Sequence, residues 1–175
     1  MAKPPSSGSS RSNDRDAVIR RATVVAVGKL RGWASEGCED YLKRLRRHFP
    51  VEVIEVAEED MNRRSPQEVL SAEGARLLKR IPDGAHVVIL DRESGKEYSS
   101  EMLSRRRLAP LALEGRSHVA FVLGGALGLS PEVSKRADET WSFGPLTLPH
   151  ALARVVLLEQ LYRSVKIDRG EKYHW

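Results

Sequence analysis

Cysteine is nearly absent from this sequence, since Cys38 is the only one in 175 residues. An intramolecular disulfide framework and a zinc site built from several cysteines are therefore excluded. Long apolar runs are missing too, and no stretch approaches the roughly 20 residues that a membrane-spanning helix needs. These absences predict a soluble cytoplasmic protein with no membrane partner.

Several catalytic motifs are also absent. The chain contains neither G-x-x-x-x-G-K-[ST] nor G-x-S-x-G, and the turn after the first apolar run, Gly28 to Gly32, lacks G-x-G-x-x-G. These gaps argue against P-loop nucleotidases, serine hydrolases and Rossmann dinucleotide enzymes. The five histidines are scattered singly, so we expect no metal site. A reaction that depends on positioning, such as methyl transfer from a sulfonium, is compatible with what remains.

Charge gives a mild indication of the partner. The 29 Lys and Arg residues exceed the 24 Asp and Glu residues, for a net charge of +5 and a pI near 9.6. An anionic partner such as nucleic acid is favoured, although an ordinary solvated surface explains the same excess. Residues 1–21 are rich in Pro, Ser, Gly and charge, which predicts a disordered tail before one domain over residues 22–175.

Apolar runs alternate with helical patterns along this domain. Strands are predicted at Thr23–Val27, Val51–Val56, His86–Leu90, His118–Leu123 and Trp141–Phe143. Helices are predicted at 33–49, from a Ser65-Pro66 start with Glu68 as capping partner to Ile81, at 99–109 before Pro110, after Ser130-Pro131, and at 150–165. The fold class is therefore α/β, with a parallel sheet covered by helices on both faces.

Ligands of such sheets bind beyond the carboxyl ends of the strands, which directs attention to the loops after Leu90, Leu123 and Phe143. The glycines of the second loop, Gly124, Gly125 and Gly128, would let the backbone approach a ligand closely. A plain tight turn explains such a loop equally well. If it binds a ligand, a bulky residue at Gly125 should abolish binding and leave the fold largely intact.

Several separated motifs together resemble one family. They are 24–28, Leu90-Asp91 with Gly95-Lys96, 123–130, 144–150 with Arg154, 158–163, and the terminal Tyr173-His174. In this order they are similar to the RlmH family, the large-subunit ribosomal RNA pseudouridine N3-methyltransferases. The resemblance implies a SPOUT fold with a C-terminal trefoil knot and a homodimer with its site at the subunit boundary. It also implies S-adenosylmethionine as cofactor and methylation of ring N3 of a pseudouridine in 23S rRNA of the assembled ribosome.

The resemblance also implies roles for individual residues. Cofactor binding falls to Leu90, Gly124, Gly125, Gly144, Pro145, Leu146, Thr147, Leu148 and Pro149. His174 is expected to accept a proton or orient the base, and Tyr173 to stack on the base or bond to it. Arg154 and Arg163 are expected to hold RNA phosphate or support the dimer, although a helix ion pair with Glu159 explains Arg163 equally well.

Two other functions remain open from the sequence. A ribosome-binding or assembly factor could keep the fold without catalysis, and a methyltransferase could act on transfer RNA or another substrate. The intact loops at 124–125 and 144–149 favour an enzyme over a factor that has lost catalysis.

Overall fold

The computed structural model describes residues 19–173. Most of the predicted tail, together with His174 and Trp175, therefore lies outside the described residues. At the boundary, Ile19 is fully buried in the core and Arg21 already belongs to the first strand. The folded domain thus begins before residue 22, because Ile19 belongs to its core and Arg21 to its first strand.

Within the described residues the strands form one parallel sheet, which confirms the predicted α/β class. The strands are β1 (Arg21–Val27), β2 (Val51–Val56), β3 (His86–Leu90), β4 (Lys96–Glu97), β5 (His118–Leu123) and β6 (Glu139–Ser142). Their order is β2-β1-β5-β3-β6-β4, and every neighbouring pair is parallel. The trefoil knot stays a prediction.

Helices cover both faces of this sheet. They are α1 (Gly32–Leu45), α2 (Pro66–Leu78), α3 (Ser100–Met102), α4 (Ala109–Leu113), α5 (Pro131–Arg136) and α6 (His150–Asp168). On one face, Val24 and Phe121 pack with Leu42 of α1 and Leu158 of α6. On the other face, Val25 and Val122 join a second cluster with residues of α2 and α5. Among these helices none has the length and apolar character needed to cross a bilayer, over residues 19–173.

The predicted starts of α2 and α5 are confirmed in detail. The Ser65 hydroxyl accepts a bond from the Glu68 backbone N–H, and the Glu68 carboxylate accepts one from the Ser65 backbone N–H at 2.8 Å. Ser130 caps α5 in the same way, through the backbone N–H of Val133. Both helices therefore begin where unsatisfied N–H groups find a side-chain acceptor.

The predicted helix end at Pro110 is wrong. A π-helical stretch, Leu103–Leu108, joins α3 to α4, and Pro110 occupies the first turn of α4. There the backbone N–H of Ala109 bonds to the Ser104 carbonyl, five residues earlier, instead of four. This wider turn lets the chain continue past a residue that has no N–H to donate.

Gly74 of α2 provides a test of how closely α2 and α5 pack. A Cβ at Gly74 would lie 2.3 Å from the Ser130 Oγ and 2.9 Å from its Cβ, whereas one at Gly37 of α1 would meet the Val155 methyls at 3.6 Å. We expect Gly74→Ala to lower the free energy of unfolding by about 1–3 kcal/mol through overpacking. Gly37→Ala, its matched control, should leave stability unchanged or raise it by up to about 1 kcal/mol. Urea unfolding measures both, and equal effects of the two substitutions would contradict the close contact.

Candidate functional site

A cleft of about 690 Å³ lies where β5, β3 and β6 end. These strands are neighbours in the sheet, so the loops that follow them meet at one edge. The cleft is lined by most of the predicted cofactor residues, namely Leu90, Gly124, Gly125, Gly144, Leu146, Thr147, Leu148 and Pro149. Pro145 lies in the same loop but does not line the cleft. The structure thus brings together residues from three distant parts of the sequence.

The glycine loop after β5, residues 124–128, is closely packed on the side that faces away from the cleft. A Cβ at Gly124 would lie 2.1 Å from the Gly128 carbonyl oxygen, and one at Gly125 would lie 2.8 Å from Glu73 Oε2 and 3.1 Å from Val27. The loop closes on itself through a 3.1 Å bond from the Gly128 N–H to the Gly125 carbonyl. A side chain at Gly125 would meet the end of Glu73 and a methyl group of Val27, both buried, so the expectation that this glycine can be enlarged with the fold intact stays a prediction.

The loop after β6 is tied to the loop after β3. Gly144 adopts φ +104°, a conformation that favours glycine, and its N–H donates to the Ser142 hydroxyl at 3.1 Å. Arg92 donates to the Thr147 hydroxyl at 2.8 Å across the two loops. Leu146, between these tethers, is 76% exposed. These hydrogen bonds hold the two ends of the loop in place, whereas Leu146 faces solvent.

The cleft wall includes polar side chains for which the sequence predicted no role. Asp91, Arg92 and Ser142 directly follow or end strands, and His150 begins α6. The Ser94 hydroxyl and the backbone N–H groups of residues 93 and 94 donate to Asp91, and these bonds lower the pKa of its carboxyl group. Asp91 is therefore a carboxylate at neutral pH. In the sequence, the position of Asp91 directly after the predicted strand His86–Leu90 was the signal that could have identified it as a cleft residue.

Arg154 is buried, which argues against the predicted contact with RNA. Its side chain is 1% exposed, and it pairs with Glu55 at 2.9 Å. The same guanidinium donates to the carbonyls of Val27 and Gly28, the latter at 2.7 Å. Glu55 also accepts the Leu30 N–H at 2.8 Å. Arg154 therefore holds the end of β1 and the following turn against α6.

Arg163 makes the helix ion pair that the sequence had left as an alternative. Its guanidinium lies 2.6 Å from Glu159, one turn earlier, and donates to the Tyr173 carbonyl at 3.1 Å. The Arg163 Cζ also lies 4.8 Å from the centre of the Tyr173 ring. Arg163 thus fastens the C-terminal segment to α6.

Tyr173 is packed into an aromatic cluster at the far end of α6. Its ring meets Tyr162 edge-on at 5.1 Å, and burial together with a hydrogen bond to Tyr41 raises the pKa of Tyr173 to about 12. The phenol is therefore protonated at neutral pH and can donate a hydrogen bond, but it cannot act as a base. His174 lies outside the described residues.

The cleft and the Tyr173 cluster are separated within one chain. The cleft reaches α6 only at its first turn, at His150 and Ala153. From Ala153 to Tyr162 the helix advances roughly 14 Å at its rise of about 1.5 Å per residue. One chain by itself therefore does not bring Tyr173 to the predicted cofactor site.

Two of the described histidines, His86 and His118, bond to different residues. His86 bonds to Glu139 at 2.7 Å and His118 to the Thr23 hydroxyl at 2.9 Å. In the part of the chain that the structure describes, no group of three His, Cys, Asp or Glu residues could hold a metal ion.

Comparisons with known proteins identify the family. The model of the family described as predicted SPOUT methyltransferase matches residues 21–174. The chain belongs to this family. It is 73% identical over 158 residues to the ribosomal RNA large subunit methyltransferase H of Rubrobacter xylanophilus, covering 90% of this chain and 100% of the relative. It is 46% identical to the protein of the same name from Desulfitobacterium hafniense, covering 86% and 96%. The resemblance to the RlmH family is thus confirmed.

Solved structures show more distant likenesses. The SpoU methyltransferase AviRb of Streptomyces viridochromogenes, solved with AdoMet, matches with 17% identity and a TM-score of 0.47, covering 92% of this chain and 63% of that one. A putative methyltransferase of Legionella pneumophila, solved with SAM, matches with 15% identity and a TM-score of 0.45, covering 87% and 68%.

The two arginines of α6 offer a matched pair for testing the role of Arg154. Arg154→Met leaves the carbonyls of Val27 and Gly28 without this donor and removes the cationic partner of Glu55, so we expect the free energy of unfolding to fall by about 2–4 kcal/mol. Arg163→Met removes a partly exposed ion pair and should cost less than about 1 kcal/mol. Chemical denaturation of both variants checks this, and similar small losses would show that Arg154 does not support the fold.

Proposed function

We propose that this protein transfers a methyl group from S-adenosylmethionine to ring N3 of a pseudouridine in 23S rRNA of the assembled ribosome, in the cytoplasm. The observation that carries this proposal is the cleft where β5, β3 and β6 end, in a chain that matches large-subunit rRNA methyltransferases along nearly all of their length. The names of these relatives support rRNA as the substrate. The base, the ring position and the assembled ribosome follow from the family resemblance.

The cleft fits S-adenosylmethionine in size and in the chemistry of its walls. Its volume of about 690 Å³ falls within the usual range for cofactor sites. Backbone groups of the glycine loop and of residues 144–149 can bond to adenine and ribose, while Leu90 and Leu148 supply apolar surface. Asp91, a carboxylate, can attract the cationic parts of the ligand.

The bound cofactor would supply a methyl group on a positively charged sulfur, and the protein would align the base with it. When the methyl group joins N3, the N3 proton must leave, and we assign its acceptance to His174. Tyr173 keeps its own proton at neutral pH, so its part is to donate a hydrogen bond to the base or to stack on it. Arg163 would position this pair through its contacts with the Tyr173 ring and carbonyl.

The proposed reaction needs two copies of the chain. Because the C-terminal segment lies at the far end of α6 from its own cleft, it would complete the cleft of a partner in a homodimer. The partly exposed apolar residues Leu152, Val155 and Val156 of α6 are available for such an interface.

Basic residues of α1 and its end would contact RNA phosphates. The guanidinium carbon of Arg44 lies 5.8 Å from the centre of the Tyr162 ring, which packs against Tyr173. Together with its exposed neighbours Lys43 and Arg47, Arg44 would bind the backbone of the RNA.

Mass spectrometry of rRNA tests the reaction. Ribosomes that lack the modification are incubated with the protein and S-adenosylmethionine, and we expect one added methyl group on one pseudouridine of 23S rRNA. The control is the Leu148→Asp variant, which removes apolar surface from the cleft wall and puts in its place a carboxylate that the ligand would have to desolvate, so it should prevent cofactor binding. A methyl group found only on transfer RNA would contradict the substrate. Cofactor binding without any methylation would favour a non-catalytic ribosome-binding factor.

Mixed dimers test the shared site. Leu148→Asp is co-expressed with a truncation that ends at Lys172, each variant being inactive alone. At equal expression, half of the dimers are mixed. If the C-terminal segment completes the partner's cleft, each mixed dimer has one complete site where the wild type has two, so activity should return to about a quarter of the wild-type value. No recovery, with mixed dimers shown to form, would mean that each C-terminal segment acts on the cleft of its own chain.

A further inference from the structure

A buried carboxyl group lies directly behind the glycine loop. Glu73 of α2 is 3% exposed, and its Oε1 accepts the Glu59 backbone N–H at 3.0 Å. Its Oε2 is buried and has no hydrogen-bond partner among the described residues. An unsatisfied carboxyl oxygen inside a protein is costly, so its position calls for a physical reason.

The backbone of Gly125 lies against this oxygen and also lines the cleft. A Cβ at Gly125 would lie 2.8 Å from Oε2, and Gly125 itself lines the cleft. Val27 lies at the same place, since that Cβ would be 3.1 Å from its methyl group, and Glu73 as a whole is 3% exposed. A charge on Glu73 therefore acts on the cleft through a thin layer of low dielectric.

The proposed reaction changes the charge in that cleft. S-adenosylmethionine carries a positive sulfur, and the product S-adenosylhomocysteine has a neutral one. We propose that Glu73 is a specificity-determining residue whose carboxylate favours the cationic cofactor over the neutral product. The inference rests on the proposed function. This preference for the cation would help S-adenosylhomocysteine leave once the methyl group has been transferred.

The surroundings of Glu73 make its charge responsive to the ligand. Burial is the main cause that raises the pKa of Glu73; the carboxylates of Glu58 and Glu59 add to it, while the Glu59 N–H bond and Arg76 oppose it. From β1 and the glycine loop, Val27 and Gly125 face the carboxyl group. A cation in the cleft favours the ionised form and so lowers this pKa. Binding should therefore release protons, and cofactor affinity should fall as the pH falls.

Calorimetric binding of both ligands tests the proposal. Glu73→Gln keeps the size of the side chain and removes the charge, and we expect it to weaken S-adenosylmethionine binding by about tenfold but S-adenosylhomocysteine binding by less than about twofold. Glu58→Gln is the control, since it removes an exposed charge near the same edge of the sheet. It should change both affinities by less than about twofold, because water screens it.

Proton release on ligand binding gives a second, independent measurement. Titrations between pH 5 and 7.5 in buffers of different ionisation enthalpy should show protons released when the wild type binds S-adenosylmethionine. Glu73→Gln should lose this release, while the amino group of the ligand contributes equally in both proteins. Equal weakening of both ligands, or unchanged proton release, would overturn the selectivity and leave the proposed function standing. A wild type that binds neither ligand would overturn both.

Discussion

The buried guanidinium of Arg154 fixes the relation between the sheet and the helix that follows the cleft. It joins the carbonyls at the end of β1, the Glu55 carboxylate of β2 and the second turn of α6. Because α6 begins directly after the loop at 144–149, this contact also sets where that loop ends. A buried guanidinium is costly unless all its acceptors are in place. Arg154 therefore favours the one arrangement in which the end of β1, Glu55 and α6 meet around it.

The sheet was largely predictable from the sequence, and the exceptions have physical reasons. The strands β1, β2, β3 and β5 are continuous apolar or alternating runs, and such runs directly predict strands with buried side chains. The short β4 has only Lys96 and Glu97, both exposed, so it carries no apolar signal. The continuation past Pro110 depends on a π-helical turn, which local sequence rules treat as a helix end.

The site was predictable in its loops and not in its charged residues. Parallel strands placed the cleft, and the family motifs named most residues that line it. Arg154 was misjudged because an arginine on a helix is usually exposed. Its acceptors, Glu55 and the carbonyls of residues 27 and 28, come from distant parts of the chain. Glu73 gave no signal either, since its burial arises only when the glycine loop folds over α2.

The glycine loop is weaker support for catalysis than the sequence suggests. Gly124 is required because a Cβ there would clash with the Gly128 backbone, and a Cβ at Gly125 would press on Glu73 and Val27, so packing alone is a reason to keep both glycines. Leu146 is different, because it is 76% exposed on a loop whose two ends are fastened by Ser142 and Arg92. An exposed leucine gives the isolated chain no packing energy. Its place at the cleft is therefore better explained by a ligand or a second subunit that covers it, and the 144–149 loop is where catalytic and non-catalytic members of this fold should differ first.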